Sequence, residues 1–362
     1  MNPAQRLHQL GQSLWLDNLS RTLLDDGTLA GYIRDAALTG LTSNPTIFDK
    51  AIAGTDRYDA DIWRADRAGM SDEAIFFELA LADISRAAAL FRPASDASSG
   101  ADGWVSLEVS PLFADDTAAT IAQAATLHAR AARPNVFIKI PGTSAGIPAI
   151  EESIAAGIPI NVTLLFSTEQ CLAAAAAYQR GAARRLAAGL PPVRSVASLF
   201  VSRWDKAVAD KVPATMKNRL GIAVAQQTYR AWREMHATPA WRRLAERDVP
   251  EQRLLWASTG TKDRSASDVL YVEALAAPDT IITLPDETLL ALVDHGRIDA
   301  TLPEDGGDSP AVIAQFARAG VDPAALAERL QQEGAQSFTK SWRDLMACIG
   351  AKRAGKPVAH AA

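Results

Sequence analysis

The segment NVFIKIPGT, residues 135–143, decides the fold class. Its apolar residues are typical of a β-strand covered on both faces, and Pro141 and Gly142 end the strand. Strands of this kind belong to parallel sheets that are packed under helices. One residue breaks the pattern, because Lys139 places a cation in a strand from which burial should exclude charge. The segment therefore predicts a parallel sheet. It leaves open whether the function of Lys139 depends on its positive charge or on its amine as a nucleophile.

Seven further β-rich runs alternate with helical patterns, among them 73–91, 115–133 and 168–189. This alternation is typical of βα units on a parallel sheet, and eight strands fit a closed barrel better than an open doubly wound sheet. We predict an α/β protein built as a single (β/α)8 TIM barrel with additional helices. The predicted strands are 13–19, 40–45, 104–110, 135–141, 158–166, 195–203, 253–259 and 280–285.

No linker divides the chain, so residues 1–362 are predicted to form one catalytic domain. Residues 204–252 are predicted to be a helical insertion between the sixth and seventh strands. Its role is interpreted either as packing on the barrel or as a contact in a homodimer, and both stay open. The segment 352–362 lacks periodicity and is predicted to be a flexible tail.

Composition argues against several classes of function. A net charge of −5 gives no reason to expect a nucleic-acid partner. The histidines are scattered and no glycine-rich phosphate loop follows a strand, so we expect no metal ion and no cofactor. The opening segment 1–18 does not resemble a signal peptide, and no apolar run is long enough to span a membrane. Two distant cysteines, Cys171 and Cys348, are consistent with a cytoplasmic protein.

Seven predicted strands carry polar or aromatic residues on one face, which a period of two assigns to the barrel interior. Most of these residues fall late in their strands, near the C-terminal end where barrel enzymes build active sites. Each residue alone also has a structural explanation: Asn44 before Pro45 can form a turn, for example, and Lys139 can pair with Glu108. The paired positions on this face are Trp15 and Asp17, Thr42 and Asn44, Ser106 and Glu108, Phe137 and Lys139, Asn161 and Thr163, Ser198 and Phe200, and Trp256 and Ser258.

A catalytic interpretation accounts for more of the pattern. Burial disfavours the charged form of an amine, and a neutral lysine can attack a carbonyl to form a Schiff base that permits carbon–carbon cleavage. Asp17 and Glu108 are the available proton shuttles. Asn44 and Asn161 are candidates for binding substrate hydroxyls, and Thr163 for positioning a water molecule. The candidates for binding a phosphate at the barrel mouth are Ser202, Arg203, Ser258 and Lys262.

Six segments in order resemble the transaldolase family, whose members are cofactor-free Schiff-base enzymes with a (β/α)8 barrel. The most specific are LTSNPTIF (41–48) and VFIKIPGT (136–143). The resemblance implies that Lys139 is the nucleophile and Asp17 the acid/base for the cleaved bond. It implies that Glu108, with Thr163 and a water molecule, moves protons while the Schiff base forms and is hydrolysed. The other implied contacts are Thr42, Asn44, Asn161 and Ser198 around the dihydroxyacetone unit, Phe200 as a wall, and Arg203 and Ser258 on the phosphate.

One position departs from the family pattern. Many members carry a second phosphate-binding arginine two residues after the serine, where this chain has Gly260, and Lys262 is the expected substitute. The implied reaction moves a dihydroxyacetone unit from sedoheptulose 7-phosphate to glyceraldehyde 3-phosphate, giving erythrose 4-phosphate and fructose 6-phosphate. Two alternatives are a fructose 6-phosphate aldolase and a non-catalytic barrel that binds sugar phosphates. Against the second, Asp17 and Glu108 would repel a phosphate near Lys139.

Overall fold

Eight parallel strands form a closed barrel in the computed structural model, which describes residues 1–355. Each strand pairs with the next in the chain, and the last pairs with the first. The predicted (β/α)8 barrel and its eight strands are thereby confirmed. The strands are β1 (Ser13–Leu16), β2 (Leu38–Thr42), β3 (Trp104–Glu108), β4 (Val136–Pro141), β5 (Ile160–Leu165), β6 (Ser195–Phe200), β7 (Arg253–Ala257) and β8 (Ile281–Leu284).

Sixteen α-helices accompany these strands within residues 1–355, most of them packed around the barrel. They are α1 (Pro3–Gln9), α2 (Arg21–Asp25), α3 (Thr28–Asp35), α4 (Pro45–Ala53), α5 (Asp59–Arg67), α6 (Asp72–Ala97), α7 (Thr117–Ala131), α8 (Gly146–Ala156), α9 (Thr168–Ala187), α10 (Ser202–Val208), α11 (Leu220–His236), α12 (Pro239–Ala245), α13 (Leu270–Ala274), α14 (Asp286–His295), α15 (Ser309–Arg318) and α16 (Pro323–Arg353). Short 3₁₀ turns lie at Pro111–Phe113 and Ala214–Met216.

Aromatic side chains fill the barrel interior. The rings of Trp104 and Phe137 stack with their centroids 3.9 Å apart, and Trp15 lies 6.2 Å from Phe137. Gly40 pairs with both Trp15 and Trp104 in the neighbouring strands, and a Cβ atom there would lie 2.6 Å from the Trp15 indole nitrogen. Only glycine leaves room for this packing, which fills the barrel interior and makes it a core rather than a channel.

The helical insertion predicted at 204–252 consists mainly of α11 and α12, with the end of α10. Helix α11 packs against α9 and α15 and buries Tyr229 and Trp232. The indole of Trp232 donates a hydrogen bond to the carbonyl of Gln252, just before β7. The insertion therefore packs on its own barrel, and its other considered role, a contact in a homodimer, stays a prediction.

The prediction of a flexible tail from residue 352 is wrong at its start, because α16 continues to Arg353. Lys352 is buried, and its ammonium donates to the carbonyl of Thr55 and to Asp59. Arg353 pairs with two aspartates on the same side of the protein. These ion pairs fix a segment that has no apolar periodicity. The rest of the predicted tail, 356–362, lies outside the described residues.

Within residues 1–355, none of the helices combines the length and the apolar character that crossing a membrane requires.

Candidate active site

A cavity of about 370 Å³ opens at the C-terminal ends of the strands. Of the predicted site residues, all but Glu108, Asn161 and Ser202 line it. Residues from β1, β2, β4, β5, β6, β7 and the loops that follow them therefore converge on one space, as the period of two predicted. The predicted residues in the lining are Asp17, Thr42, Asn44, Lys139, Thr163, Ser198, Phe200, Arg203, Ser258 and Lys262.

The Lys139 amine lies at the bottom of this cavity, with only 6 % of its side chain exposed. Its Nζ atom donates a hydrogen bond to the carbonyl of Ser43 at 3.1 Å and lies 3.4 Å from Glu108 Oε2. Lys139 and Glu108 are paired across the β3–β4 ladder, which places their side chains next to each other. The ion pair considered as a structural explanation exists, but it faces a cavity rather than a closed core. The amine is therefore accessible to a small ligand.

Burial perturbs both carboxyl groups near the amine. It raises the pKa of Glu108, and the nearby Lys139 ammonium only partly opposes this effect. Burial likewise raises the pKa of Asp17, with the charge of Lys139 again opposing. The charge of Asp17 adds to the rise in the pKa of Glu108. Carboxyl groups with raised pKa values can hold or accept a proton near neutral pH, as general acid/base catalysis requires.

Two buried hydroxyl oxygen atoms around the amine have no hydrogen-bond partner within the described chain: Thr42 Oγ1 and Thr163 Oγ1. Buried polar groups normally find a partner, so such atoms at a cavity indicate a place for a ligand or a water molecule. Thr42 and Thr163 lie on β2 and β5, on either side of the strands that carry Glu108 and Lys139. The arrangement fits a substrate with several hydroxyl groups.

Asn161 was predicted to contact the substrate, but it lies beneath the cavity and is completely buried. Its amide nitrogen donates to Ser106 Oγ at 3.1 Å, and its oxygen accepts from Ser198 Oγ at 2.7 Å. Ser198 in turn lines the cavity. In this structure Asn161 therefore orients Ser198 and does not itself line the cavity.

Asn44 combines a structural role with a place in the cavity. Its side-chain oxygen accepts a hydrogen bond from the backbone nitrogen of Ile47 and caps α4, which begins at Pro45. Because the oxygen is used in the cap, the amide nitrogen is the group left for a ligand. The helix cap thus fixes the orientation of a donor at the cavity edge.

The cations form a separate group at the cavity mouth. Arg203 stacks on Phe200, with the guanidinium carbon 5.2 Å from the ring centroid, and burial lowers the pKa of this arginine. Ser258 adopts a left-handed backbone with φ of 56°, and its hydroxyl lies 3.1 Å from that of Ser202. Lys262 also lines the cavity. Two cations that line one cavity together with a serine hydroxyl are suited to an anionic group such as phosphate.

Several lining residues were not predicted from the sequence. Thr46, Ile47 and Lys50 lie on α4, directly after the SNP segment, and that adjacency was the available signal. Phe338 comes from α16, far along the chain from any strand, and nothing in the sequence signals its contact with the cavity. The other unpredicted lining residues are Leu255, Ala257, Thr283, Pro285 and Glu287.

Comparison with known proteins agrees with this geometry. Residues 14–349 match the model of the family described as Transaldolase/Fructose-6-phosphate aldolase. A Transaldolase of Thiobacillus denitrificans is 43% identical over 97% of this chain and 100% of its own length. A Transaldolase of Neisseria gonorrhoeae is 41% identical over 93% of this chain and 97% of its own length. A Transaldolase 2 of a Nostoc species is 38% identical over 97% of this chain and 98% of its own length. The chain therefore belongs to the transaldolase/fructose-6-phosphate aldolase family.

Proposed function

We propose that this enzyme transfers a dihydroxyacetone unit from sedoheptulose 7-phosphate to glyceraldehyde 3-phosphate through a Schiff base on Lys139. The observation that carries the proposal is the position of the Lys139 amine, which faces the cavity and lies 3.4 Å from the buried carboxyl group of Glu108. Family membership and the transaldolase relatives support the same reaction. The substrates are sugar phosphates.

The first half-reaction begins with proton transfer from the Lys139 ammonium to Glu108. Burial raises the pKa of Glu108, which makes this carboxylate a better acceptor. The neutral amine attacks the C2 carbonyl of the ketose and forms a carbinolamine. Glu108 then returns a proton to the C2 hydroxyl through a water molecule held by Thr163. That hydroxyl leaves as water, and the C2–nitrogen double bond forms.

Cleavage uses the second carboxyl group. Asp17 accepts the proton of the C4 hydroxyl, the C3–C4 bond breaks, and erythrose 4-phosphate leaves as an aldehyde. The electron pair of that bond moves into the Schiff base and gives an enamine on Lys139. The enamine carbon attacks the aldehyde of glyceraldehyde 3-phosphate while Asp17 returns its proton to the new hydroxyl. Hydrolysis with Glu108 and Thr163 then releases fructose 6-phosphate and the free amine.

The remaining residues bind the two ends of the substrate. Thr42, Asn44 and Ser198 hold hydroxyl groups of the dihydroxyacetone unit near Lys139, and Asn161 acts by orienting Ser198. Arg203, Ser258 and Lys262 bind the phosphate at the mouth, with Phe200 beneath Arg203. We place the enzyme in the cytoplasm, where its two unpaired cysteines would remain reduced.

Acceptor dependence tests the transfer reaction. Release of the aldehyde from fructose 6-phosphate is measured with and without erythrose 4-phosphate. A transferase holds the enamine until an acceptor arrives, so turnover should be slow until erythrose 4-phosphate is added. Release of free dihydroxyacetone at a comparable rate without acceptor would instead identify a fructose 6-phosphate aldolase.

A further inference from the structure

Helix α16 lies across the C-terminal end of the barrel, and three of its residues on one face pack on the active-site region. Gln331, Gly334 and Phe338 follow a helical spacing of three and four residues. Phe338 lines the cavity. A Cβ atom on Gly334 would lie 2.9 Å from Leu164 Cδ2 and 3.2 Å from an Arg203 guanidinium nitrogen. The helix therefore packs closely on the ends of two strands that form the site.

Gln331 makes the polar part of this contact. Its side-chain nitrogen donates to the carbonyl of Gly142 at 3.0 Å and to that of Leu164 at 2.9 Å. Gly142 directly follows β4, the strand of Lys139, and Leu164 lies in β5, the strand of Thr163. An amide nitrogen has two hydrogen atoms, so both donors are used. One side chain thus links the ends of the two strands that carry the nucleophile and the proposed water-positioning hydroxyl.

The Leu164 backbone is unusual for a strand. Its φ is 58°, in the left-handed region that residues with a side chain rarely adopt, and the pairing of β5 with β6 shifts register between Val162 and Leu165. Bulges of this kind redirect a neighbouring side chain. That neighbour is Thr163, whose hydroxyl is buried at the cavity without a partner among the described residues and whose carbonyl accepts a 2.7 Å hydrogen bond from the Gly142 nitrogen.

We infer that Gln331 is a positioning residue for the Schiff-base reaction. Its two hydrogen bonds stabilise the left-handed turn at Leu164 and thereby aim the Thr163 hydroxyl toward the carbon bonded to Lys139. The inference rests on the role proposed above for Thr163. It assigns a catalytic consequence to a residue that touches neither substrate nor nucleophile and that lies on a helix outside the βα repeats.

Rapid mixing with fructose 6-phosphate, followed by borohydride quenching, measures how fast the Schiff base forms. Gln331→Met keeps the side-chain length and removes both donors, so formation should slow about 10-fold or more, since small misplacements of catalytic groups have large effects on rate. Gln331→Glu replaces the donors with acceptors facing two carbonyls and should slow it at least as much. The final amount of adduct counts folded sites and corrects for any loss of stability. Gln332→Met, at the exposed neighbouring position, should leave the rate unchanged.

A double-mutant cycle with Thr163→Val separates positioning from general damage. If Gln331 acts through Thr163, Gln331→Met should add little to the slowing already caused by Thr163→Val. Multiplying effects would overturn the inference. A normal rate of Schiff-base formation in both Gln331 variants, together with a slow rate in Thr163→Val, would also overturn the inference. That result would leave the proposed function intact. A normal rate in Thr163→Val would overturn the role of Thr163 and the inference together, while adduct formation on Lys139 would still support the Schiff base.

Discussion

Lys262 is predicted to take the place of the second phosphate-binding arginine, because this chain has Gly260 at that position. A Cβ atom built on Gly260 would lie 3.5 Å from Lys262 Nζ and 3.2 Å from Pro285 Cγ. The ammonium therefore occupies the space that a longer side chain at position 260 would enter. Replacing Lys262 with methionine removes the cation and keeps most of the side-chain length.

The expected loss of kcat/KM in Lys262→Met depends on how exposed the Lys262 ammonium is. A hydrogen bond to a charged partner contributes about 1.5–3 kcal/mol. Lys262 is exposed, so water screens its interaction and reduces this to roughly 1–2 kcal/mol. That energy corresponds to a fall in kcat/KM of about 5–30-fold. Arg203 is less exposed and stacks on Phe200, so Arg203→Met should cost more, about 100-fold.

The assay compares fructose 6-phosphate with unphosphorylated fructose as donor, each with a saturating aldehyde acceptor. Lys262→Met should lower kcat/KM only for the phosphorylated donor. Lys211→Met, which changes net charge equally at an exposed position, is the control. Gly260→Arg combined with Lys262→Ala should recover most of the loss. An equal fall with both donors, or no fall at all, would refute the assignment of Lys262 to the phosphate.

Three further predictions follow from the site and the core. Asp17→Ala and Glu108→Ala should each reduce kcat by about 10²–10⁴-fold, the range for loss of a general acid/base, and near-normal turnover in either variant would show that its role is misassigned. Asp17→Asn should raise Tm at pH 8 and change it little at pH 4. Burial raises the pKa of Asp17, so its carboxyl group destabilises the folded state only at pH values above the ordinary carboxyl pKa. This destabilisation grows as the pH rises toward the pKa that Asp17 has in the folded protein. A gain in Tm that is larger at pH 4 than at pH 8 would contradict this reasoning. Gly40→Ala should destabilise the fold by about 1–3 kcal/mol in urea unfolding, because its Cβ would lie 2.6 Å from Trp15 and overpack the barrel, whereas Gly31→Ala, at an open helical position, should be neutral or stabilising.

The inward face of the barrel could be predicted because side-chain direction in a strand has a fixed period of two. This rule places Lys139 and Glu108 on the same face of neighbouring strands, and the two residues are paired across the β3–β4 ladder. The period of two predicts which face of the strand a side chain lies on, but not how deep in the barrel it lies. Asn161 therefore has the predicted orientation and still lies below the cavity, where Ser106 and Ser198 use its amide.

Contacts that depend on the path of a helix over the barrel could not be predicted. Helical periodicity shows which face of α16 is apolar, but not which strand ends lie beneath it. Phe338 and Gln331 therefore carried no signal for the site. The left-handed residue in β5 was also unpredictable, because Leu164 is neither glycine nor asparagine and sits in an apolar run. The ordered position of Lys352 is also not predictable, because polar contacts with Thr55 and Asp59, rather than apolar periodicity, hold it in place.

The most direct test of the Schiff-base mechanism is borohydride reduction in the presence of fructose 6-phosphate, followed by peptide mass spectrometry. The buried amine beside Glu108 predicts a stable dihydroxyacetone adduct on Lys139, and Lys139→Ala should give no adduct and no turnover. An unmodified Lys139 in protein that is active under the same conditions would contradict the account.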